Sequence, residues 1–590
     1  MVAQPNSNKE NAGADVSVRT IPSSDGGGSF LELLDAYGVE CLFYNPGSDF
    51  YPVLEQLSKF QVEGRKTPRP VMCLTEHLAL SMAHGYAMQK GTAQAVMVHV
   101  GLGTMELGGA LHNISKGREP VLIIAGRSPY TFEGELEGGR DRPYHWDQEL
   151  FDQLGLARQF AKWTYELKTN SNLHHVLARA LQMANSEPKG PVYLVLPREL
   201  LAEKQESVKV LPLSRFAPPS RPAAESKSLE KMADILLNSE SPIILTEYLG
   251  CNPDAVSKLV KLAEFLGAPV IEPQRKRMNF PANHPLYLPG YPREFIESSD
   301  AILLLDIDVP WSPALLKTRK DAKIMQIDVD AVKSGFPLWG FPVDVSVNAS
   351  TAEAIPELLR ILKEKRRPPT KLSSSKEERL KKISQARSKI KENLRARAEG
   401  ESIRVESLLS KINEILSPEM IVVSEGVTND PLVASYVEST LPGTFFALGG
   451  SSLGDGLGNA LGLKLANPEK DVVCIVSDGG FVYSNPTSVF WASRKYDIPI
   501  LTVVINNGGY RAMKSSVERA FPEGFSKKNK IFSGAGISPA PDFVLAAKAC
   551  GASGASVKRT EDLSELLRYG LQETTEEKRS FVLDAIVEQV

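Results

Sequence analysis

The sequence is poor in the features that mark secreted, membrane and nucleic-acid-binding proteins. Only five of its 590 residues are cysteine, and their wide spacing excludes a disulfide framework or a cysteine-based zinc site. We find no apolar run of the roughly 18 residues that span a bilayer. The 68 basic and 71 acidic residues nearly cancel, which gives no reason to expect nucleic acid or an anionic membrane as a partner. These absences favour a cytoplasmic protein.

The first 27 residues are polar and lack the apolar core of a signal peptide and the arginine-rich pattern of a transit peptide. We therefore expect residues 1–27 to be a disordered tail.

Three blocks follow in which apolar runs alternate with helical patterns, at residues 28–205, 228–362 and 401–590. The apolar runs are continuous, as is typical of parallel strands buried on both faces. The sequence therefore predicts an α/β protein of three doubly wound, parallel-sheet domains. A charged stretch at 363–400 predicts a solvated helical linker, and the first and third blocks share size and layout.

Two strand ends in the third block carry residues that suit a metal bound to a phosphate. The apolar run at 472–476 ends in Ser-Asp-Gly-Gly, and the run at 499–505 ends in Asn-Asn-Gly-Gly. The carboxyl ends of parallel strands meet at one sheet edge, where such sheets bind ligands. Mg²⁺ takes oxygen ligands, which Asp478, Asn507 and the Gly509 carbonyl would supply.

Glycines beside these ligands let the backbone approach phosphate groups and donate N–H groups to them. We assign that role to Gly479 and Gly480.

This segment resembles the signature of the thiamine diphosphate-dependent enzymes, except that Ser477 stands where a glycine is usual. The resemblance extends from about residue 28 to the C-terminus. It implies a pyrimidine-binding domain at 28–205, a middle domain at 228–362 and a diphosphate-binding domain at 401–590. It also implies thiamine diphosphate and Mg²⁺ as cofactors, and a homodimer or homotetramer that places the cofactor between the first domain of one subunit and the third domain of another.

The family's chemistry requires a carboxyl group hydrogen-bonded to the pyrimidine ring of the cofactor. Glu76 fits, because it follows an apolar run at 71–74 and begins a helical pattern rich in small residues. In the third block, the stretch 449–462 resembles the family's cofactor loop. There Leu453 would lie beneath the cofactor, and the carbonyl near Ser451 would hold its amino group. Thr428 matches a position that binds the diphosphate.

Within the family, the first block is most similar to the benzoylformate decarboxylase branch. Ser48, in Asn-Pro-Gly-Ser, matches that branch's substrate-binding serine, and His99 matches its catalytic histidine. His284, in the middle block, matches its second histidine. By this resemblance Ser48 would bind the substrate carboxylate, and the two histidines would move protons on the substrate.

The resemblance implies decarboxylation of a small 2-oxo acid, or carboligation to a 2-hydroxyketone. An acetolactate synthase-like carboligase is the main alternative. That branch often binds flavin, but its Arg-Phe-Asp-Asp-Arg-like run is missing at residues 306–311, so FAD is not expected. A catalytically inactive regulatory homologue is the alternative of another class.

Overall fold

The computed structural model describes residues 17–366 and 370–588. The chain divides into two compact units: the first runs to Pro219 except for Met88–Gly91, and the second comprises Met88–Gly91 and the rest of the chain. No helix in the described ranges is both long and apolar enough to cross a lipid bilayer.

The first unit is built on a six-stranded parallel sheet of order β3-β2-β4-β5-β7-β6. The strands of the unit are β1 (Arg19–Pro22), β2 (Cys41–Tyr44), β3 (Arg69–Met72), β4 (Gln94–Val98), β5 (Val121–Arg127), β6 (Trp163–Glu166), β7 (Val192–Pro197) and β8 (Ser207–Val210). Of these, β1 and β8 form a separate two-stranded sheet. The helices of the unit are α1 (Gly26–Ala36), α2 (Tyr51–Glu63), α3 (Glu76–Lys90), α4 (Val100–Met105), α5 (Gly108–Gly117), α6 (Tyr144–Asp147), α7 (Gly155–Arg158), α8 (Leu173–Asn185) and α9 (Arg198–Ala202).

The start of the chain differs from the expected disordered tail of residues 1–27. Residues 1–16 lie outside the described residues, but β1 pairs antiparallel with β8, and α1 begins at Gly26. The physical reason is a long-range pairing: β8 alternates exposed and buried side chains, and it supplies backbone partners to β1.

The middle part of the second unit has a parallel sheet of order β11-β10-β9-β12-β13-β14. Its strands are β9 (Pro242–Thr246), β10 (Val270–Ile271), β11 (Tyr287–Leu288), β12 (Ala301–Leu305), β13 (Lys323–Asp328) and β14 (Val345–Asn348). Its helices are α10 (Ser226–Leu237), α11 (Pro253–Leu266), α12 (Arg293–Ser298), α13 (Thr351–Lys365), α14 (Lys371–Ser374) and α15 (Lys376–Arg397). The charged helix α15 is anchored by Arg379, whose guanidinium donates to the carbonyls of Leu266, Gly267 and Glu240.

The last part of the second unit has a parallel sheet of order β16-β15-β17-β18-β20-β19. Its strands are β15 (Ile421–Glu425), β16 (Phe445–Ala447), β17 (Val472–Ser477), β18 (Leu501–Asn506), β19 (Ser553–Val557) and β20 (Phe581–Ile586). Its helices are α16 (Val405–Ile415), α17 (Asp430–Tyr436), α18 (Gly456–Ala466), α19 (Asp478–Tyr483), α20 (Pro486–Tyr496), α21 (Arg511–Ala520), α22 (Phe525–Asn529), α23 (Phe543–Lys548) and α24 (Thr560–Thr575).

The first and third sheets have the same strand order when each is numbered along the chain. In both sheets, two neighbouring strands are followed along the chain by strands on opposite sides of the pair. The pair is β2 and β4 in the first sheet, and β15 and β17 in the third. Such a reversal leaves a crevice beyond the carboxyl ends of the two strands, where α/β sheets bind ligands. The fold therefore predicts functional residues directly after these four strands.

Candidate active site

The crevice of the first sheet carries Ser48 and His99, which follow β2 and β4 respectively. A single turn of 3₁₀ helix, Ser48–Phe50, turns successive side chains to different environments. Ser48 is exposed, whereas its neighbour Asp49 is buried. An ideal Cβ on Gly47 would stand 2.8 Å from Nδ1 of His99, so the loop that carries Ser48 lies against the His99 ring.

Glu76 is the first residue of α3, directly after Thr75, whose hydroxyl accepts a hydrogen bond from the backbone N–H of Leu78. The Glu76 side chain is half-buried and lies against α4. An ideal Cβ on Gly103 would stand 2.7 Å from Oε1 of Glu76, so only glycine at this position leaves room for the carboxyl group. The helix start thus holds Glu76 within the same unit as Ser48 and His99.

Both ring nitrogens of His99 have partners that the sequence did not single out. Nδ1 lies 2.5 Å from Oδ1 of Asp49, and Nε2 lies 3.1 Å from Oε1 of Gln148. Burial disfavours the charged imidazolium, but the hydrogen bond and charge of Asp49 outweigh it, so the pKa of His99 is raised. In the sequence, Asp49 is marked only by its position directly after Ser48.

The strand ends of the third sheet bring together the residues predicted to bind Mg²⁺. The backbone N–H of Gly509 donates to Oδ2 of Asp478 at 3.0 Å and to Oδ1 of Asn507 at 3.2 Å. The two oxygens therefore converge on one side of Gly509. Burial raises the pKa of Asp478, although N–H groups of Gly479 and Gly509 oppose the shift. A bound cation would favour the charged carboxylate.

The segment at the end of β17, Ser477–Gly480, is the diphosphate loop, and its glycines leave space that larger residues would fill. Ser477 caps α19, because its Oγ accepts a hydrogen bond from the N–H of Gly480 at 3.1 Å. An ideal Cβ on Gly479 would stand 2.9 Å from the Tyr510 ring and 3.8 Å from Leu453. Leu453 therefore reaches this segment, and its place beneath the cofactor stays a prediction. Ser477 replaces the usual glycine and still caps the helix start.

These residues fit thiamine diphosphate held through Mg²⁺. Asp478, Asn507 and the carbonyl of Gly509 are oxygen ligands of the kind Mg²⁺ prefers. The Gly509 carbonyl accepts one hydrogen bond, from the N–H of Arg511 at 3.1 Å, and a carbonyl has a second lone pair. A Cβ at Gly479 would collide with Tyr510, and one at Gly480 would collide with Glu425. Because both residues are glycine, no Cβ atom stands between their backbone and a phosphate group.

Glu425, at the end of β15, lies beneath this loop and was not singled out from the sequence. Its carboxyl group is fully buried and accepts the N–H groups of Gly454 at 2.5 Å and Gly456 at 2.6 Å. An ideal Cβ on Gly480 would stand 2.8 Å from Oε1 of Glu425. Burial, reinforced by Asp455 and Asp430, raises the pKa of Glu425 to about 8, against the two N–H bonds. Glu425 thus ties the cofactor loop to the diphosphate loop.

Thr428 and Ser451 are both exposed. Thr428 lies in a 3₁₀ turn, Val427–Asn429, in which Val427 has a φ of 55°, a strained value for a β-branched residue. Asp430 holds this turn, because its Oδ1 accepts the N–H of Gly426 at 2.9 Å. Ser451 lies in the loop after β16. The roles of Thr428 and Ser451 stay predictions.

The structure does not bring His284 to the other predicted site residues of the second unit. Its Nδ1 accepts the N–H of Leu286 at 3.2 Å, its Nε2 lies 3.3 Å from Oε1 of Glu264, and its ring packs on Phe280. These partners belong to the middle domain and hold the ring by themselves. The catalytic role of His284 stays a prediction without a structural neighbour that supports it.

The crevice of the middle sheet, between β9 and β12, contains buried ion pairs. The Lys333 ammonium is fully buried and donates to the carboxylates of Asp308, at 3.1 Å, and Asp328. The Tyr248 hydroxyl lies 3.1 and 2.5 Å from oxygens of the same two carboxylates and has one proton to donate to them. Lys276 lies 3.4 Å from Glu247 at the rim. The protein's own charged groups therefore occupy the place where such a sheet would bind a dinucleotide.

Sequence profiles of three domain families match the chain. They are described as the N-terminal TPP binding domain, the central domain and the C-terminal TPP binding domain of thiamine pyrophosphate enzymes, at residues 24–156, 229–358 and 427–585. Together the three profiles span most of the chain, and each corresponds to one of its three parallel sheets.

Curated proteins and solved structures resemble the chain along nearly its whole length. It is 25% identical over 569 residues to benzoylformate decarboxylase of Pseudomonas aeruginosa, which covers 92% of this chain and 95% of that protein. It is 25% identical to sulfoacetaldehyde acetyltransferase of Castellaniella defragrans (94% and 92% covered), and 23% identical to a probable acetolactate synthase large subunit of Methanocaldococcus jannaschii (95% and 92% covered).

Two solved structures share the fold. A thiamine diphosphate-dependent 4-hydroxybenzoylformate decarboxylase of Rhodococcus jostii has a TM-score of 0.74 at 21% identity, covering 96% of this chain and 100% of its own. A benzoylformate decarboxylase of Polynucleobacter necessarius has a TM-score of 0.76 at 20% identity, with 96% and 99% covered. Matching domain profiles, relatives and residue arrangement together lead to one conclusion: the chain belongs to the thiamine pyrophosphate enzymes, as a decarboxylase or carboligase.

Proposed function

We propose that the protein decarboxylates a 2-oxo acid, and that Mg²⁺ anchors its thiamine diphosphate. The observation that carries the substrate class is that Ser48 and His99 follow two strands, β2 and β4, at the crevice of the first sheet. Ser48 lies between Gly47 and Asp49, which both approach the His99 ring. An exposed hydroxyl and an imidazole of raised pKa in one crevice suit a substrate with a carboxylate next to a carbonyl group.

Each proposed site residue has a role that its environment permits. When bound, thiamine diphosphate supplies a nucleophilic carbon and accepts the electrons that departing CO₂ releases. Glu76 would hydrogen-bond the pyrimidine ring and exchange a proton with it. Ser48 would bind the substrate carboxylate, and His99 would move a proton at the carbonyl oxygen. Asp478, Asn507 and Gly509 would bind Mg²⁺.

We propose further that the middle domain holds no flavin. The buried ion pairs of Lys333 with Asp308 and Asp328 support this, because a dinucleotide would have to displace them and leave charges unpaired. The purified protein should then lack the absorbance near 450 nm that bound flavin gives. A stoichiometric flavin band would contradict the proposal.

We also propose a homodimer or homotetramer in the cytoplasm. Large apolar side chains of the first unit, including Phe132, Trp146 and Phe151, are exposed, as is typical of surfaces that bind another protein. All five cysteines are free, which fits a reducing compartment. Light scattering of the purified protein would give a mass of two or four times the chain mass of 64.5 kDa, whereas a monomer would contradict the assembly.

The proposed reaction is tested by measuring CO₂ release from a panel of aromatic and aliphatic 2-oxo acids. We expect release that requires both thiamine diphosphate and Mg²⁺ and yields an aldehyde. With pyruvate, product analysis separates acetaldehyde from acetolactate, which is the outcome for an acetolactate synthase-like carboligase. No turnover of any 2-oxo acid by protein with bound cofactor would contradict the proposal.

A further inference from the structure

Asp49 makes two hydrogen bonds to the segment that carries His99. It is 3% exposed, and its two carboxylate oxygens have different partners. Oδ1 lies 2.5 Å from Nδ1 of His99, and Oδ2 accepts the backbone N–H of Val100 at 3.1 Å. The same carboxylate therefore contacts the imidazole and the backbone next to it.

Two glycines from separate parts of the first unit make room for this carboxylate. An ideal Cβ on Gly47 would stand 2.3 Å from Oδ1 of Asp49, and one on Gly126 would stand 1.7 Å from Oδ2. Real Cβ atoms do not approach other atoms so closely. Gly47 belongs to the loop after β2, and Gly126 belongs to β5. Both segments thus lack a side chain where Asp49 lies.

The backbone after His99 is strained. Val100 is β-branched and has a φ of 30°, a strained value that persists only where neighbours hold it. Asp49 binds the N–H of Val100, and the Thr104 hydroxyl donates to its carbonyl at 2.7 Å. Strain of this kind concentrates at functional sites. Asp49 therefore helps to hold the turn that directs His99.

The opposite ring nitrogen indicates which protonation state the site accommodates. Nε2 of His99 lies 3.1 Å from Oε1 of Gln148, which can only accept a hydrogen bond. With the Asp49 carboxylate at one nitrogen and the Gln148 amide oxygen at the other, the ring can donate twice as the imidazolium, in keeping with the raised pKa of His99. Among titratable groups, Asp49 through its hydrogen bond and charge and Glu76 through its charge favour the imidazolium, whereas burial opposes it.

We propose that Asp49 is a positioning residue that holds His99 as an imidazolium directed at the substrate carbonyl. The inference rests on the proposed function, since it assigns His99 the part of proton donor. The Nε2 proton would move to the carbonyl oxygen of the 2-oxo acid as its carbon is attacked, leaving a neutral imidazole whose Nδ1–H remains bonded to Asp49. Gln148 would release Nε2 when substrate enters.

The test combines NMR titration of ¹³C-labelled histidine with kinetics on the enzyme loaded with thiamine diphosphate and Mg²⁺. In the unmutated protein, with His99 assigned through His99→Asn, we expect titration above the ordinary histidine value of about 6.5. Asp49→Asn keeps the shape and removes the charge. We expect it to move this titration to lower pH, shift the alkaline limb of the kcat profile with it, and lower kcat about 10- to 100-fold.

Asp152→Asn is the matched control, because Asp152 is an exposed carboxylate bonded to Arg158 and should leave both readouts unchanged. Titration of His99 at or below the ordinary value in the unmutated protein would overturn the proposal, whether or not Asp49→Asn folds. An unchanged pH profile in Asp49→Asn would also overturn it. Failure of the proposed function would give a different result. No 2-oxo acid would then react, although His99 would still titrate as expected.

Discussion

The substitution Gly103→Ala should lower the activity of the enzyme without lowering its stability. Gly103 lies in α4 against Glu76, and an ideal Cβ there would stand 2.7 Å from Oε1 and 3.1 Å from Cγ of that side chain. Because the obstructed atoms belong to the flexible end of Glu76, the carboxyl group should move by about an ångström while the backbone stays in place. Alanine is favoured over glycine within helices by about 1 kcal/mol, so stability should hold or rise slightly.

A displacement of about an ångström in a catalytic group costs roughly 100-fold in rate. We therefore expect kcat/KM for CO₂ release to fall about 10- to 100-fold while the Tm stays within a few degrees of the parent value. Gly108→Ala is the matched control, because a Cβ there has no atom within 4 Å. A folded Gly103→Ala protein with unchanged kcat/KM would refute the reasoning that Glu76 acts from this position.

Three further predictions concern the second unit. Asp478→Asn should weaken Mg²⁺-dependent cofactor binding at least about tenfold, measured by fluorescence titration with Mg²⁺. Lys333→Met removes the buried ammonium that Asp308 and Asp328 share and should cost about 3–5 kcal/mol, seen as a lower Tm. Glu425→Gln should change how stability depends on pH. Between the ordinary glutamate value of about 4.3 and about 8, only the folded form of Glu425 is protonated. The unmutated protein should therefore lose about 1.4 kcal/mol per pH unit relative to the variant as pH rises, measured by Tm at each pH.

The parts of the site that follow buried parallel strands could be predicted from sequence. An apolar run that ends in Asp-Gly-Gly or Asn-Asn-Gly-Gly marks both the strand and its carboxyl end, so Asp478 and Asn507 were expected at one edge, where the structure has them. The helix start at Glu76 was visible for the same reason. The shared layout of the first and third blocks also reappears as a common strand order.

Residues whose roles depend on contacts between distant segments could not be predicted. Asp49 and Ser48 are adjacent in the same loop, and only the 3₁₀ turn and the space at Gly126 decide that Asp49 is the buried one. Glu425 gains its importance from the loop at residues 454–456, which crosses its carboxyl group. The pairing of β1 with β8 joins segments far apart in the chain, and no local pattern indicates such a pairing.

The most direct measurement compares Glu76→Gln with the unmutated protein in cofactor-dependent CO₂ release from the best 2-oxo acid of the panel. Glutamine keeps the size of the side chain and cannot exchange the proton that thiamine chemistry requires. We expect turnover to fall at least about 100-fold while the variant still binds thiamine diphosphate and Mg²⁺. Turnover at the unmutated rate by Glu76→Gln would contradict the assignment of Glu76 as the activating carboxyl group.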